Sequence, residues 1–236
     1  MIDSERSKRL ANRLAQVEAR IEAACRRAGR ARAEVTLVAV TKTVSSEVAG
    51  LLPELGVIDL GESRPQELWK KAADLPSTIR WHLIGHLQRN KAERTLPLVQ
   101  LIHSVDSMRL LETLEQEAAK RQKSIPVLLE VNLSHEASKH GFEANEVPGL
   151  AGRIVELQHA RVTGLMTMAA WEPDPEKCRP TFAALRALRD RLRAELGTES
   201  VMHQLSMGMT NDFEVAIEEG ATLVRIGTAL FEEEGE

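Results

Sequence analysis

The chain has 236 residues, and its 31 basic and 35 acidic side chains give a formal net charge of −4. This balance provides no general attraction for nucleic acid or for anionic membranes, so both classes of partner are disfavoured. Because the charged N-terminus lacks the apolar run of a signal peptide, and no stretch reaches the roughly 18 apolar residues of a membrane span, we expect a soluble, cytoplasmic protein.

Two residue counts restrict the chemistry. The chain contains no tyrosine, so no reaction step can use a phenol as its acid or base. The two cysteines, Cys25 and Cys178, lie far apart and form no CxxC motif, which indicates neither a disulfide framework nor a cysteine zinc site.

The first predicted element is an amphipathic helix over residues 4–29. Its apolar side chains recur at spacings of three and four, and a glycine closes it. These positions are Leu10, Leu14, Val17, Ile21 and Cys25, followed by Gly29. We expect this helix to lie against the domain that follows.

After this helix, short apolar runs alternate with longer amphipathic segments. The predicted strands cover residues 35–41, 57–61, 80–84, 100–104, 126–131, 162–168, 202–206 and 222–226. The predicted helices cover residues 47–55, 65–73, 87–96, 109–121, 147–157, 175–196 and 211–219. Ser45 and Ser46 are candidate caps for the first of these, Asn211 with Glu214 resembles a capping box for the last, and Gly220 is placed to end it.

The strict alternation of strands and helices defines the predicted fold. Short connections between them predict a parallel sheet, and eight repeats favour closure into a (β/α)8 TIM-type barrel of the α/β class with an extra N-terminal helix. We expect one domain over residues 1–236, with the barrel at 35–231. An open doubly wound sheet is the alternative, but no GxGxxG motif follows the first strand.

The run VTLVAVTK at residues 35–42 is typical of a buried parallel strand with a lysine where the strand ends. Burial disfavours the charged ammonium, so Lys42 would present a neutral amine that can condense with an aldehyde. The alternative is a lysine that has emerged into solvent after the strand.

Two glycine-containing loops and an arginine complete a pattern. In barrels of this kind the loops after strands seven and eight commonly bind phosphate; here they are residues 205–210 and 225–228, although ordinary connecting loops have the same composition. Arg225 lies in an otherwise apolar strand, where a buried guanidinium needs either a salt bridge or an acceptor atom of a ligand. Together with Lys42, these features describe a pyridoxal phosphate (PLP) site.

Collinear motifs over essentially the whole chain strengthen this interpretation. They are TKT (41–43), GESRPQE (61–67), WHLIG with LQRNK (81–91), SKHG (138–141), GLM (164–166), LSMGMT (205–210) and VRIGT (224–228). In this succession the sequence resembles the pyridoxal phosphate homeostasis protein family, whose barrel is of the alanine racemase N-terminal type.

The resemblance implies that PLP is held as an imine on Lys42, with Arg225 facing its pyridine nitrogen. It further implies that Ser206, Gly227 and Thr228 hold the phosphate. The other implied cofactor contacts are Ser63, His82, Met166, Met207 and Gly208. Ser63 departs from the family, which usually has asparagine there against the ring, and Thr210 replaces a usual serine but keeps the hydroxyl.

The histidines give no metal-binding pattern by their spacing. His82 and His86 are four apart, which on a helix would suggest a metal pair, but residues 81–84 indicate a strand. His82 is instead expected to be a hydrogen-bonded histidine near the barrel mouth. The remaining histidines form no ligand spacing, and two lysines could contact an anionic ligand or be solvated; these residues are His103, His135, His140, His159, His203, Lys91 and Lys139.

The resemblance also bears on catalysis. Racemases that share this barrel supply a second base from a tyrosine on an additional β domain, and this sequence shows neither. The leading hypothesis is therefore a nonenzymatic carrier in PLP and amino-acid homeostasis, a monomer or weak dimer that serves PLP-dependent apoenzymes. The alternatives are a PLP-dependent amino-acid racemase with another base and a Schiff-base aldolase that acts on a phosphorylated sugar.

Overall fold

The predicted strands close into a barrel. The computed structural model describes residues 4–133, 140–197 and 202–231. Its strands are β1 (Thr36–Val40), β2 (Asp59–Glu62), β3 (Arg80–Leu83), β4 (Val99–Val105), β5 (Ile125–Asn132), β6 (Phe142–Glu143), β7 (Ala160–Met166), β8 (Gln204–Ser206) and β9 (Leu223–Ile226). All pairings are parallel and run β4-β3-β2-β1-β9-β8-β7-β5, with β4 against β5 closing the ring. The TIM-type (β/α)8 barrel is confirmed.

Strand β6 was not predicted. It has two residues, too few for a periodic pattern, and it pairs with the end of β5 outside the ring of eight.

The helices are α1 (Ser4–Arg27), α2 (Ser46–Ala49), α3 (Pro65–Asp74), α4 (Ala92–Thr95), α5 (Met108–Lys120), α6 (Ala151–Glu156), α7 (Arg179–Leu196), α8 (Phe213–Glu218) and α9 (Thr228–Phe231). Prolines shorten two of the predicted helices. The segment predicted at 47–55 breaks after α2, where Pro53 begins a 3-10 turn. The segment predicted at 87–96 contains only α4 between two 3-10 turns, the second of which includes Pro97.

The two predicted helix caps have different outcomes. Ser45 is the N-cap of α2, and its side chain accepts a hydrogen bond from the amide of Val48. The capping box at Asn211 is wrong, because α8 begins two residues later, at Phe213. Asn211 instead donates to the carbonyl of Glu172 over 2.8 Å, while Asp212 Oδ1 accepts from the amide of Met209.

Helix α1 covers the side of the barrel that carries α8 and α9. Its predicted apolar face is buried, and Gly29 follows the helix with a φ of 65°. Ion pairs fix its position, since Arg20 bonds to Glu214 over 2.8 Å and Arg27 to Glu218 over 2.6 Å. Among the described residues, no helix is both long and apolar enough to cross a membrane.

Side chains alternate between the inside of the barrel and the layer under the helices, as strands require. The main core lies in the outer layer, while a small apolar cluster fills the inside. This inner cluster consists of Val38, Leu101, Leu128, Met166 and Leu223. The polar inward-facing side chains that adjoin it form the candidate site.

Candidate functional site

Lys42 lies at the mouth of the barrel, where the carboxyl ends of the strands converge. Val38 belongs to the inner cluster, and Lys42 follows four residues later, in the turn directly after β1. The predicted burial of its side chain is wrong, because β1 ends at Val40 and Lys42 is exposed. The last buried position of this segment is Thr41, whose amide donates to the carbonyl of Gly61.

The buried lysine at this end of the barrel is Lys71 on α3. Its Nζ donates to Glu62 Oε1 and to the carbonyl of Thr41, both over 2.6 Å. The Thr41 hydroxyl donates to the same Glu62 oxygen over 2.6 Å. Glu62 Oε2 is buried and has no hydrogen-bond partner among the described residues. These contacts fix the backbone directly before Lys42.

Arg225 occupies the inside of the neighbouring strand. Register pairs it with Val38, so it lies deeper in the barrel than Lys42. Its guanidinium is 3% exposed and donates to Ser206 Oγ and to the carbonyl of Thr167, not to a carboxylate. The structural salt bridge that the sequence left open is therefore not formed within the described part of the chain. Burial lowers the pKa of Arg225 to about 10, although Asp212 and Glu130 oppose this shift.

A continuous chain of buried side chains leads from Arg225 across the barrel. Ser206 Oγ lies 2.7 Å from His103 Nδ1, His103 Nε2 lies 2.9 Å from His82 Nδ1, and His82 Nε2 lies 2.9 Å from Asp59 Oδ1. Because a guanidinium only donates hydrogen bonds, Ser206 Oγ accepts one from Arg225 and donates its own O–H to His103 Nδ1. Each histidine then donates from Nε2, and the chain of donors ends on the Asp59 carboxylate.

The pKa directions agree with this order of donors. Burial, followed by the charges of His82 and Arg225, lowers the pKa of His103 well below its usual value, which keeps the ring neutral. Burial raises the pKa of Asp59, but the hydrogen bonds and charges of His82 and Arg80 outweigh it, so the net shift is downward and the carboxylate stays ionised.

The sequence predicted that His82 lies near the mouth, and this position is wrong. His82 lines a cavity of about 170 Å³ at the amino-terminal ends of the strands, together with Thr36, Asp59 and Gln204. Its ring therefore supports Arg225 through His103 and Ser206. The predicted hydrogen bonding of His82 is confirmed, and its predicted contact with the cofactor remains a prediction.

The two predicted phosphate loops lie side by side at the mouth, after β8 and β9. Gly227 continues the inward-facing row of Arg225, and Thr228 is exposed at the start of α9. Ser206 is fully buried with its hydroxyl between His103 and Arg225, so its predicted phosphate contact remains a prediction. Met207 packs its side chain into the outer core and donates its amide to the carbonyl of Leu223, and its predicted ligand contact remains a prediction.

Where these loops pack, glycine is required at Gly208, and Gly227 leaves little room for a side chain. Gly208 has a φ of 89°, and a Cβ there would lie 2.5 Å from the Cβ of Ala216. At Gly227 a Cβ would lie 3.1 Å from the carbonyl oxygen of Val40, directly below the Lys42 loop. Thr210, which replaces the usual serine, keeps its hydroxyl in use by accepting from the amide of Ala229 over 3.3 Å.

The remaining predicted contacts lie on other strands. Ser63 is half-buried after β2, and Gly85 packs so closely on it that a Cβ would lie 2.3 Å from the Ser63 carbonyl oxygen. Met166 is fully buried in the inner cluster. Lys91 is half-buried in a 3-10 turn, and its ligand contact remains a prediction. His135 and Lys139 lie outside the described residues, as does part of the 138–141 motif.

Sequence reasoning missed one acidic group at the mouth. Glu130 faces inward at the end of β5 and is 5% exposed. Burial and the charge of Asp106 raise its pKa to about 7, against the opposing charges of Arg225 and His86. The signal in the sequence was the acidic residue that follows the apolar run 127–129.

Known proteins share this barrel and this order of motifs. The family of the alanine racemase N-terminal domain matches residues 13–234. The pyridoxal phosphate homeostasis protein of Aquifex aeolicus is 43% identical over 222 residues, which cover 94% of this chain and 96% of that protein. Its counterpart in Pseudomonas aeruginosa is 41% identical over 227 residues, with 94% of each chain covered.

This chain belongs to the pyridoxal phosphate homeostasis protein family.

Solved structures agree with that membership. PipY of Synechococcus elongatus, determined with PLP bound, has 31% identity and a TM-score of 0.83, and the match covers 94% of this chain and 99% of PipY. Alanine racemase of Bartonella henselae has 16% identity and a TM-score of 0.72 over 95% of this chain and 58% of its own length, which shows a shared barrel fold. The pyridoxal phosphate homeostasis protein family thus uses the racemase barrel.

Proposed function

We propose that this chain binds PLP at the mouth of its barrel and serves in PLP homeostasis as a carrier of the cofactor. The observation that supports this most is the placement of Lys42 in the turn at the end of β1, at the mouth, above the buried Arg225 on the paired strand β9. PLP has an aldehyde, a pyridine nitrogen and a phosphate, and the mouth offers a different group for each.

The residues at the mouth fit the chemistry of this cofactor. Lys42 supplies an exposed primary amine, Arg225 a buried donor, and the Gly208 and Gly227 loops a surface on which an added Cβ would collide with neighbouring atoms. The exposed Thr228 hydroxyl adds a donor for a phosphate oxygen. PipY, determined with PLP bound, is similar over 94% of this chain.

Lys42 is the proposed point of attachment. Its Nζ forms the new bond to the aldehyde carbon of PLP, and the aldehyde oxygen leaves as water, so that the product is a Schiff base. The Lys71–Glu62 pair and Thr41 hold the backbone from which Lys42 extends.

Arg225 limits the reactivity of the cofactor in this proposal. PLP serves enzymes as an electron sink when its pyridine nitrogen is protonated. A guanidinium can only donate hydrogen bonds, and at a pKa of about 10 it stays charged at neutral pH. It therefore opposes protonation of the ring nitrogen, which favours holding PLP over activating it.

A carrier also has to release PLP to enzymes that need it. The expected recipients are PLP-dependent apoenzymes; because Lys42 is exposed, an amine of a recipient could attack the imine carbon and displace the Lys42 amine. The test loads the chain with PLP, removes free PLP by gel filtration, and follows the activity of an added apo-aminotransferase. Reactivation is expected to exceed that with the same concentration of Lys42→Ala after identical treatment, and equal reactivation would contradict delivery.

A separate measurement distinguishes a carrier from a racemase. In deuterated water a carrier leaves the α-hydrogen of free amino acids unexchanged, and a racemase replaces it with deuterium. Glu130 is a buried titratable group at the mouth, and with its pKa raised to about 7 it is the candidate base in place of tyrosine. If exchange exceeds the background in the wild type and disappears in Glu130→Gln, the chain is a catalyst and the carrier proposal is wrong.

A further inference from the structure

Three loops at the barrel mouth bring two histidines and an aspartate together. His86 follows β3, Asp106 follows β4, and His140 precedes β6. His86 Nδ1 lies 2.7 Å from Asp106 Oδ2, and His140 Nδ1 lies 3.7 Å from the same oxygen. One ligand atom from each residue falls within 4.8 Å of the other two.

The rings of the two histidines are arranged so that both reach one carboxylate. They stack at a centroid distance of 4.4 Å with an interplanar angle of 16°. A single hydrogen-bonded pair does not require this, as His159 shows by binding Glu115 over 3.1 Å. The second imidazole distinguishes the cluster from an ordinary histidine–carboxylate pair.

A buried carboxylate adjoins the cluster. Glu130 is 5% exposed, and the charges of Asp106 and His86 both act on its carboxyl group. This second carboxylate adds negative charge beside Asp106, which favours a cation at this place.

We propose that His86, Asp106 and His140 bind a divalent transition-metal ion, with Zn²⁺ as the best match. Two imidazoles and one carboxylate are ligands that Zn²⁺ accepts, and three protein ligands leave a position open for water or a substrate group. Carboxylates alone would favour Mg²⁺ or Ca²⁺. The fold assembles this set from residues 20 and 34 positions apart, so sequence spacing gave no sign of it.

Small movements complete the geometry. Ligand atoms at about 2.1 Å from a tetrahedral ion lie roughly 3.3 Å from one another. The contact between His86 and Asp106 would lengthen from 2.7 Å, and the contact between His140 and Asp106 would shorten from 3.7 Å. The side chains of His86 and His140 are 44% and 63% exposed, so both rings have room to shift.

The test titrates the full chain, treated first with a chelator, with Zn²⁺ by calorimetry and with Co²⁺ by visible absorption. We expect one equivalent to bind and Co²⁺ to give the d–d bands of a site with nitrogen ligands. Loss of an outer partner of a metal ligand already weakens binding by roughly 10–100-fold. His86→Ala, His140→Ala and Asp106→Asn should each therefore lower Zn²⁺ affinity by about 100-fold or more.

Three controls keep the outcome interpretable. His159→Ala removes a histidine from another histidine–carboxylate pair and should leave affinity unchanged, and unfolding curves of the metal-free variants should match the wild type because the mutated histidines are exposed. Lys42→Ala should also bind Zn²⁺ normally, which separates this site from PLP binding. Equal Zn²⁺ affinity in the wild type and in the His86→Ala, His140→Ala double variant would overturn the proposal.

Discussion

Lys71 Nζ donates a 2.6 Å hydrogen bond to Glu62 Oε1, and both side chains are buried beside the segment that leads from β1 to Lys42. Removing one partner of such a pair leaves a buried charge uncompensated, whereas removing both restores neutrality. The pair is therefore a positioning element for Lys42 as well as a contribution to stability.

Substitution of this pair tests that role. Lys71→Met should lower the free energy of unfolding by about 3–5 kcal/mol, because Glu62 then stays buried without its cation. The double variant Lys71→Met, Glu62→Leu should recover most of the loss. Urea unfolding of the wild type, Lys71→Met, Glu62→Leu and the double variant measures the coupling energy of the pair. If the double variant is as unstable as the sum of the single ones, the pair is not energetically coupled.

The histidine chain predicts a pH dependence of stability. The pKa of His103 is lowered in the folded state, so below about pH 6.5 the unfolded state binds a proton that the folded state does not. The stabilisation is present above that pH and is lost as the pH falls, by at most about 1.4 kcal/mol per pH unit for this one group.

His103→Gln isolates the contribution of this group. Glutamine keeps one donor and one acceptor but does not titrate, so the decline in stability from about pH 7 to pH 5 should be shallower than in the wild type. His203→Gln changes an exposed histidine and is the matched control, with the wild-type slope expected. The interpretation fails if both variants show the same slope.

Gly208 predicts the cost of filling the loop after β8. Its φ of 89° disfavours any L side chain, and an added Cβ would collide with Ala216 and the backbone of Phe213. Gly208→Ala should therefore lower stability by about 1–3 kcal/mol and weaken PLP binding. Gly152→Ala in α6 meets nothing within 4 Å, and it should bind PLP as the wild type does. Thermal unfolding and a fluorescence titration with PLP measure both effects.

The barrel could be predicted from the sequence because each strand is a short apolar run. Such a run can be recognised from neighbouring residues alone. The same apolar run predicted a lysine at the end of the first strand, and Lys42 does follow β1. Lys42 is exposed because the pairing of β1 stops at Val40. Where that pairing stops depends on the neighbouring strands β2 and β9. Similarly, Lys71 sits in an ordinary amphipathic helix, and only the packing of α3 on β2 makes it buried.

The polar parts of the site were less accessible to sequence reasoning. His82 and His103 both lie in buried strands, but their link to Ser206 crosses from one side of the barrel to the other. The register of β3 with β4 includes an irregularity, and it determines which of these side chains point inward. Met207 follows the last inward-facing residue of β8 and so turns to the outer core, a one-residue difference that motif matching does not resolve.

Covalent attachment at Lys42 is the central claim, and borohydride trapping tests it most directly. The protein is incubated with PLP, reduced, digested, and mapped by mass spectrometry beside Lys42→Ala. We predict one phosphopyridoxyl group on the peptide that contains Lys42, and loss of the PLP-dependent absorbance in the variant, with the buried Lys71 unmodified in both. A label on another lysine, or an unchanged spectrum in Lys42→Ala, would contradict the account.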